Sequence, residues 1–203
     1  MDHQLLQNPI HYVVLLLLVV QWGRVLAAPV ADQSGLCSSA LHLTEILQHD
    51  ASQLLDNYVL FHRFQADSIP EDVPDAKVNG STPAEKLYSI AVQGMLFHWH
   101  LSVVEEDNNG FWANPDPSLQ QNFTTTKSRL LHHFKKIGEL LKAVDPDFIS
   151  PTTPATPDLH IDNGYAKKYY GWGVITNLKV LATNVEQELN SVCGKDVQNI
   201  LSV

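Results

Sequence analysis

Four stretches of this chain repeat apolar residues at alternating three- and four-residue steps, and the connections between them run long, short, long. Few folds accept both facts. In the last stretch, Gly164 to Val192, a helix turning about 100° per residue brings Gly171, Val174, Ile175, Leu181, Ala182, Val185, Leu189 and Val192 within roughly 60° of Leu178. A helix packed along one face is predicted there. The first stretch, about 36 to 64, repeats Ala40, Leu43, Leu47, Leu54, Tyr58 and Phe61 and is broken once near Asp50. The second, about 83 to 106, runs through Ile90, Gly94, Phe97 and Leu101 until Asp107-Asn108-Asn109-Gly110 breaks it. The third, about 117 to 144, carries Phe123, Thr126, Leu130, Phe134, Ile137, Leu141 and Val144, and Asp145-Pro146 ends it.

Two of these helices declare their starts. Thr82 reads as an N-cap, Pro83 as the first helical residue, and Glu85 is placed to reach back in a capping box. Asp116 followed by Pro117 gives the third helix the same kind of opening. With almost no strand signal, the prediction is an all-α, long-chain four-helix bundle.

Connection length selects the topology. Roughly 17 residues separate the first helix from the second and about 19 the third from the fourth, each able to span the roughly 40 Å of a helix when extended. Only about 10 join the second to the third, so up-up-down-down is predicted. That arrangement brings the start of the first helix beside the finish of the fourth, which is where Cys37 and Cys193 lie. An up-down-up-down bundle would bring the same ends together, so the cysteines do not choose between the two.

Ahead of the bundle, Val13 to Val20 is an unbroken apolar run, and Val25-Leu26-Ala27-Ala28-Pro29 offers the small residues a signal peptidase reads. Residues 1–28 are expected to be a secretory signal peptide, cut after Ala27 or Ala28, with Ala27 preferred because Pro29 would otherwise begin the mature chain. The run is too short for an ordinary membrane span of about 20 residues. No Lys or Arg precedes it and Arg24 follows it, which leaves an uncleaved anchor as the alternative. Residues 29–203 are then one secreted domain, and export favours one Cys37–Cys193 disulfide over two free or intermolecular thiols. By chain-entropy reasoning, closing so long a loop contributes about 4 to 5 kcal/mol.

The formal charge of -9 excludes bulk electrostatic binding of nucleic acid or heparin. Enzyme chemistry finds no footing in the motifs. There is no Gly-x-Ser-x-Gly elbow, His-Glu-x-x-His helix or phosphate-cradling glycine loop. His98 and His100 point roughly 200° apart on a helix, and His132 and His133 about 100° apart, while His42 and His49 share a face about 10 Å apart along the axis. No catalytic residue, metal site or cofactor is expected. The segment Ser150-Pro151-Thr152-Thr153-Pro154-Ala155-Thr156-Pro157 reads as an extended linker with room for O-glycans. Asn79-Gly80-Ser81 and Asn122-Phe123-Thr124 are N-glycosylation sequons at Asn79 and Asn122, the first in a loop and the second in the opening turns of a helix.

On the wheel of the fourth helix, Tyr165, Lys168 and Trp172 swing roughly 80° to 140° away from the core direction. One reading puts Tyr165 and Trp172 under a long loop; the other makes the cluster a receptor hot spot, since aromatics anchor protein interfaces. The segment Tyr165-Ala166-Lys167-Lys168-Tyr169-Tyr170-Gly171 resembles the start of the fourth helix in the ciliary neurotrophic factor, cardiotrophin and leukemia inhibitory factor branch of the interleukin-6 cytokine family. The branch carries Phe-x-x-Lys there, which falls on Tyr165 and Lys168, with Tyr in place of Phe and with Lys-x-x-Gly continued as Lys168 to Gly171. Ser52-Gln53-Leu54-Leu55-Asp56-Asn57-Tyr58-Val59 is similar to part of the first helix of cardiotrophin, and Ala84-Glu85-Lys86-Leu87 to the opening of the second helix of ciliary neurotrophic factor. With its leader, the chain resembles the leukemia-inhibitory-factor-like cytokines of fish.

The resemblance implies a secreted, monomeric cytokine whose partners are cell-surface receptors of the glycoprotein 130 and leukemia inhibitory factor receptor type, acting through Janus kinases. Tyr165 and Lys168, with Trp172 beside them, are the implied receptor-binding residues, and no membrane insertion follows signal cleavage. In the family, outward faces of the first and third helices engage glycoprotein 130, but no residue can be carried onto them. The competing reading is a secreted helical carrier of a lipid or other apolar ligand, with Trp99, Trp112 and Trp172 lining a cavity.

Overall fold

A computed structural model describes residues 33–111, 116–148, 161 and 163–200, without the side chains of residue 111 and of residues 195–200. The expected leader, Trp112, and the proline-rich segment from Ser150 to Pro157 lie outside the described residues. Four helices are present: α1 Gln33–His62, α2 Pro83–Phe111, α3 Pro117–Val144 and α4 Gly164–Ile200. They belong to one compact unit, Gln33–Val203, and no strand occurs among the described residues.

The starts follow the local chemistry. At α2 the capping box closes in both directions: Glu85 N–H donates to Thr82 Oγ1 (3.2 Å) and Thr82 N–H to Glu85 Oε2 (3.1 Å). Ser81 adds its N–H and hydroxyl to the same carboxylate at 2.8 and 2.7 Å, and these bonds, the Ser81 hydroxyl first, hold the Glu85 carboxyl down to about 2. Asp116 caps α3, accepting from the N–H groups of Ser118 (2.7 Å) and Leu119 (3.3 Å). At α4, Asn163 Oδ1 accepts from Ala166 N–H (2.8 Å).

The core runs along all four helices. Every residue predicted for the α4 stripe is buried, from Gly171 to Val192. In α1 the stripe is unbroken, because Thr44 and Ala51 fill the gaps between Ala40, Leu47, Leu54 and Tyr58. Ala51 at 0% exposure, next to Asp50, removes the expected break. Helix α2 outlasts its predicted end by nearly a turn and a half, since tertiary partners override the Asp107-Asn108-Asn109-Gly110 signal. Asp107 pairs with Lys167, and Asn108, only 2% exposed, accepts from His62 Nε2 at 3.1 Å. In α3 the buried position falls on His133, with Phe134 half-buried beside it. The Thr44 hydroxyl donates to Ala40 O (2.9 Å), so it accepts from His133 Nε2 (2.8 Å), which fixes the neutral imidazole with its proton on Nε2.

Helix α1 packs on α3 and α4, and α2 packs on the same two. From α1 to α4 the meeting residues are Cys37 with Cys193, Gln48 with Glu186 and Tyr58 with Lys168. From α1 to α3 they are Thr44 with His133, Asp50 with Arg129 and Tyr58 with Phe123. From α2 they are Lys86 with Glu188 and Asp107 with Lys167 on α4, and Glu105 with Lys127 on α3. Cys37 and Cys193 form the expected disulfide, with Cα atoms 5.8 Å apart. The connection after α1 lies along α4, where Asn177 Nδ2 donates to Pro74 O and Asn184 Nδ2 to Ala76 O, each at 2.9 Å.

Candidate functional site

The first two turns of α4 meet the last turn of α1 at one end of the bundle. Tyr165 stands 68% exposed there, against the Phe64 ring at 5.5 Å and 83° and the Tyr169 ring at 6.3 Å. Tyr169 is fixed in turn by its hydroxyl, 3.0 Å from Ser68 Oγ. Rings packed edge to face restrict each other, so Tyr165 is presented in a held orientation rather than as a free phenol. Lys168, one turn along, is half-buried at the same level; its backbone carbonyl accepts from the Tyr58 hydroxyl at 3.3 Å. Its charge reaches His62, whose imidazole burial has already pushed down to about 4.

Trp172 departs from expectation. It is 7% exposed and belongs to the core, not to the exposed cluster. A helical wheel measures angle against its own helix alone, and here another element covers the flank. The Cα of Gly173 lies so close beneath Pro70 and Val73 that an added Cβ would come within 2.9 Å of Val73 Cγ2. Trp172 itself borders a groove with Leu55, Val59 and Leu60 of α1. Trp172 is therefore packed into the core, while Tyr165 remains open to solvent.

Beneath the surface residues lies a polar layer that the sequence did not single out. Tyr58, His62, Asn108, His100 and Tyr170 are all buried, and the Tyr170 hydroxyl hydrogen-bonds His100 Nδ1. Burial, aided by Asp107, raises both phenols above their ordinary range, Tyr170 feeling Asp72 as well, and burial holds His100 down to about 4. At neutral pH these groups are uncharged donors and acceptors. They position the start of α4 against α1 and α2 without placing a charge in the core. Gly171 belongs to this layer, since a Cβ there would meet Val104 Cγ1 and Tyr58 Cζ at 2.9 Å.

The two sequons differ in environment. Asn79 is exposed, whereas Asn122 is half-buried, with an inaccessible Nδ2 that has no hydrogen-bond partner. That nitrogen is the atom a glycan would be attached to, so a glycan at Asn122 would require this packing to open. Of the three tryptophans considered for a cavity, Trp99 is half-buried with its ring edge-on to His100 at 4.9 Å, and Trp172 is packed in the core. Among the described residues no group of three or more His, Cys, Asp or Glu is placed to hold a metal ion, and no helix is long and apolar enough to cross a membrane.

Compared with known proteins, the chain matches no family profile and no curated protein.

Proposed function

We propose that this protein is a secreted helical cytokine that binds and assembles cell-surface receptors of the glycoprotein 130 and leukemia inhibitory factor receptor type, triggering JAK/STAT signalling. The observation that carries the reading is the presentation of Tyr165: a large aromatic, exposed and ring-packed, one helical turn from Lys168 at the start of the last helix of a disulfide-tied bundle. An aromatic anchor beside a long cation, oriented by packed rings, is the arrangement of an interface hot spot. Tyr in place of Phe adds a hydroxyl that requires a partner or water at the rim of the receiving pocket.

The same proposal takes the bundle as up-up-down-down. Support comes from the order of the meeting residues: those on α3 and α4 descend as those on α1 and α2 ascend, so that α1 and α2 run alike. The ligand acts as a single chain, after loss of a leader, without cofactor or catalysis.

The test is phosphorylation of signal-transducer proteins in paired cell lines given the purified chain. One line expresses both receptor types and the other lacks the leukemia inhibitory factor receptor type. A response confined to the complete pair is expected; silence in both lines, with receptors from a matching species and protein of verified helicity, refutes the proposal.

A further inference from the structure

The end of α1 holds a residue whose backbone does not suit its side chain. Arg63 has φ +48°, and no other non-glycine among the described residues has a positive φ. A left-handed residue just past a helix is ordinary when it is glycine; in any other residue the Cβ crowds the next carbonyl. Glycine at this position would end α1 with less strain. The chain keeps instead an exposed arginine that, among the described residues, has no hydrogen-bond or ion-pair partner. Asp67, four residues on and also exposed, makes no ion pair with it, whereas Arg129 is tied to Asp50 at 3.2 Å.

The surroundings say what the strained residue is beside. Phe64, its neighbour in the chain, packs against Tyr165 and Tyr169, and His62, its other neighbour, feels the charge of Lys168. Arg63 thus lies in the chain between two residues that meet the start of α4, one packed against Tyr165 and the other within reach of the Lys168 charge. Strain kept where an easier residue would fold as well points to a demand from outside the fold. A cation also complements the negative end of the α1 dipole, but a lysine would serve that purpose equally.

We infer that Arg63 is a contact residue of the surface that presents Tyr165 and Lys168, and that its partner is a carboxylate on the receptor. The inference rests on the receptor-binding reading above. A guanidinium offers two parallel N–H donors that match the two oxygens of a carboxylate, a fit an ammonium lacks. On a chain of formal charge -9, an acidic partner is repelled over most of the surface and drawn to a corner carrying Arg63 and Lys168, which orients the encounter. The receiving surface is therefore an apolar pocket for Tyr165 with an acidic rim.

The experiment measures binding of the secreted chain and of Arg63→Gly, Arg63→Lys and Arg63→Glu to immobilised ectodomains of the two receptor types, with thermal unfolding run in parallel. Arg63→Gly is expected to unfold at the same or a higher temperature than the parent while binding at least about tenfold more weakly. Arg63→Lys, which keeps the charge and loses the fork, falls between, and Arg63→Glu binds weakest. Parental affinity in Arg63→Gly overturns the inference and leaves the receptor reading standing. A lower unfolding temperature in Arg63→Gly also overturns it, because the arginine would then serve the fold. If the parent chain binds neither ectodomain, the receptor reading fails and the inference with it.

Discussion

Replacing Gly171 by alanine tests how the first turns of α4 are seated. The added Cβ lies within contact distance of the Tyr58 hydroxyl oxygen and 2.9 Å from both Tyr58 Cζ and Val104 Cγ1, so something must shift. Overpacking of this kind costs about 1 to 3 kcal/mol. Displacing the Tyr58 hydroxyl from the Lys168 carbonyl removes a 3.3 Å hydrogen bond, about 1 kcal/mol more, while the better helix propensity of alanine returns about 1 kcal/mol. The net expectation is a loss of about 1 to 3 kcal/mol in a urea titration monitored by helicity. Tyr58→Phe deletes the nearest obstructing atom, so a double-mutant cycle should show the two changes coupled favourably by about 1 kcal/mol. A Gly171→Ala protein as stable as the parent, or two strictly additive changes, would refute the described approach of α1 to α4.

On the proposed receptor reading, Lys168→Ala should weaken receptor activation by about tenfold while its unfolding free energy stays within about 1 kcal/mol of the parent; equal loss of fold and activity would sink the interface claim. Burial holds His62, His100 and His133 down to about 4, below the unfolded value of about 6.5, so the unfolded chain binds more protons between those limits. Stability is therefore fully present above about pH 6.5 and is lost as pH falls toward 4, with about 2 kcal/mol gone by pH 5 from His133 alone. Urea midpoints at pH 7 and pH 5 check this, and His133→Gln should shrink the difference. Intact mass of the chain expressed through a secretory pathway should fall by a glycan in Asn79→Gln and change only by the substitution itself in Asn122→Gln.

What could be read from the sequence was whatever depends on one segment alone. The α4 stripe from Gly171 to Val192, the Thr82–Glu85 box and the Asp116 cap are local patterns with local causes. Thr44, His133, His62 and Asn108 were not legible as core, because a polar residue is buried only if a partner arrives from elsewhere, as His133 does for Thr44. Trp172 failed for a related reason: its burial depends on neighbours outside α4, with Leu55, Val59 and Leu60 of α1 beside it, which no wheel of α4 contains. Within the candidate site, Tyr165 and Lys168 were named from their motif and angle, and Tyr165 is exposed as expected. The contribution of Phe64 and the backbone sign at Arg63 depend on how α1 ends against α4, which periodicity does not encode.

The Cys37–Cys193 bond lies at the opposite end of α4 from Tyr165 and Lys168. A cross-link suppresses separation of the helices it joins mostly near itself, so the bundle is clamped at one end and free to breathe at the other. The breathing end holds the polar layer of Tyr58, His62, Asn108, His100 and Tyr170, whose hydrogen bonds can be exchanged for water at small net cost. Backbone amides should therefore exchange with solvent slowest beside the cystine and progressively faster toward the start of α4. A partner docking there would meet the softest part of the molecule, and its binding should be visible as slowed exchange in the last turn of α1 and the first turns of α4.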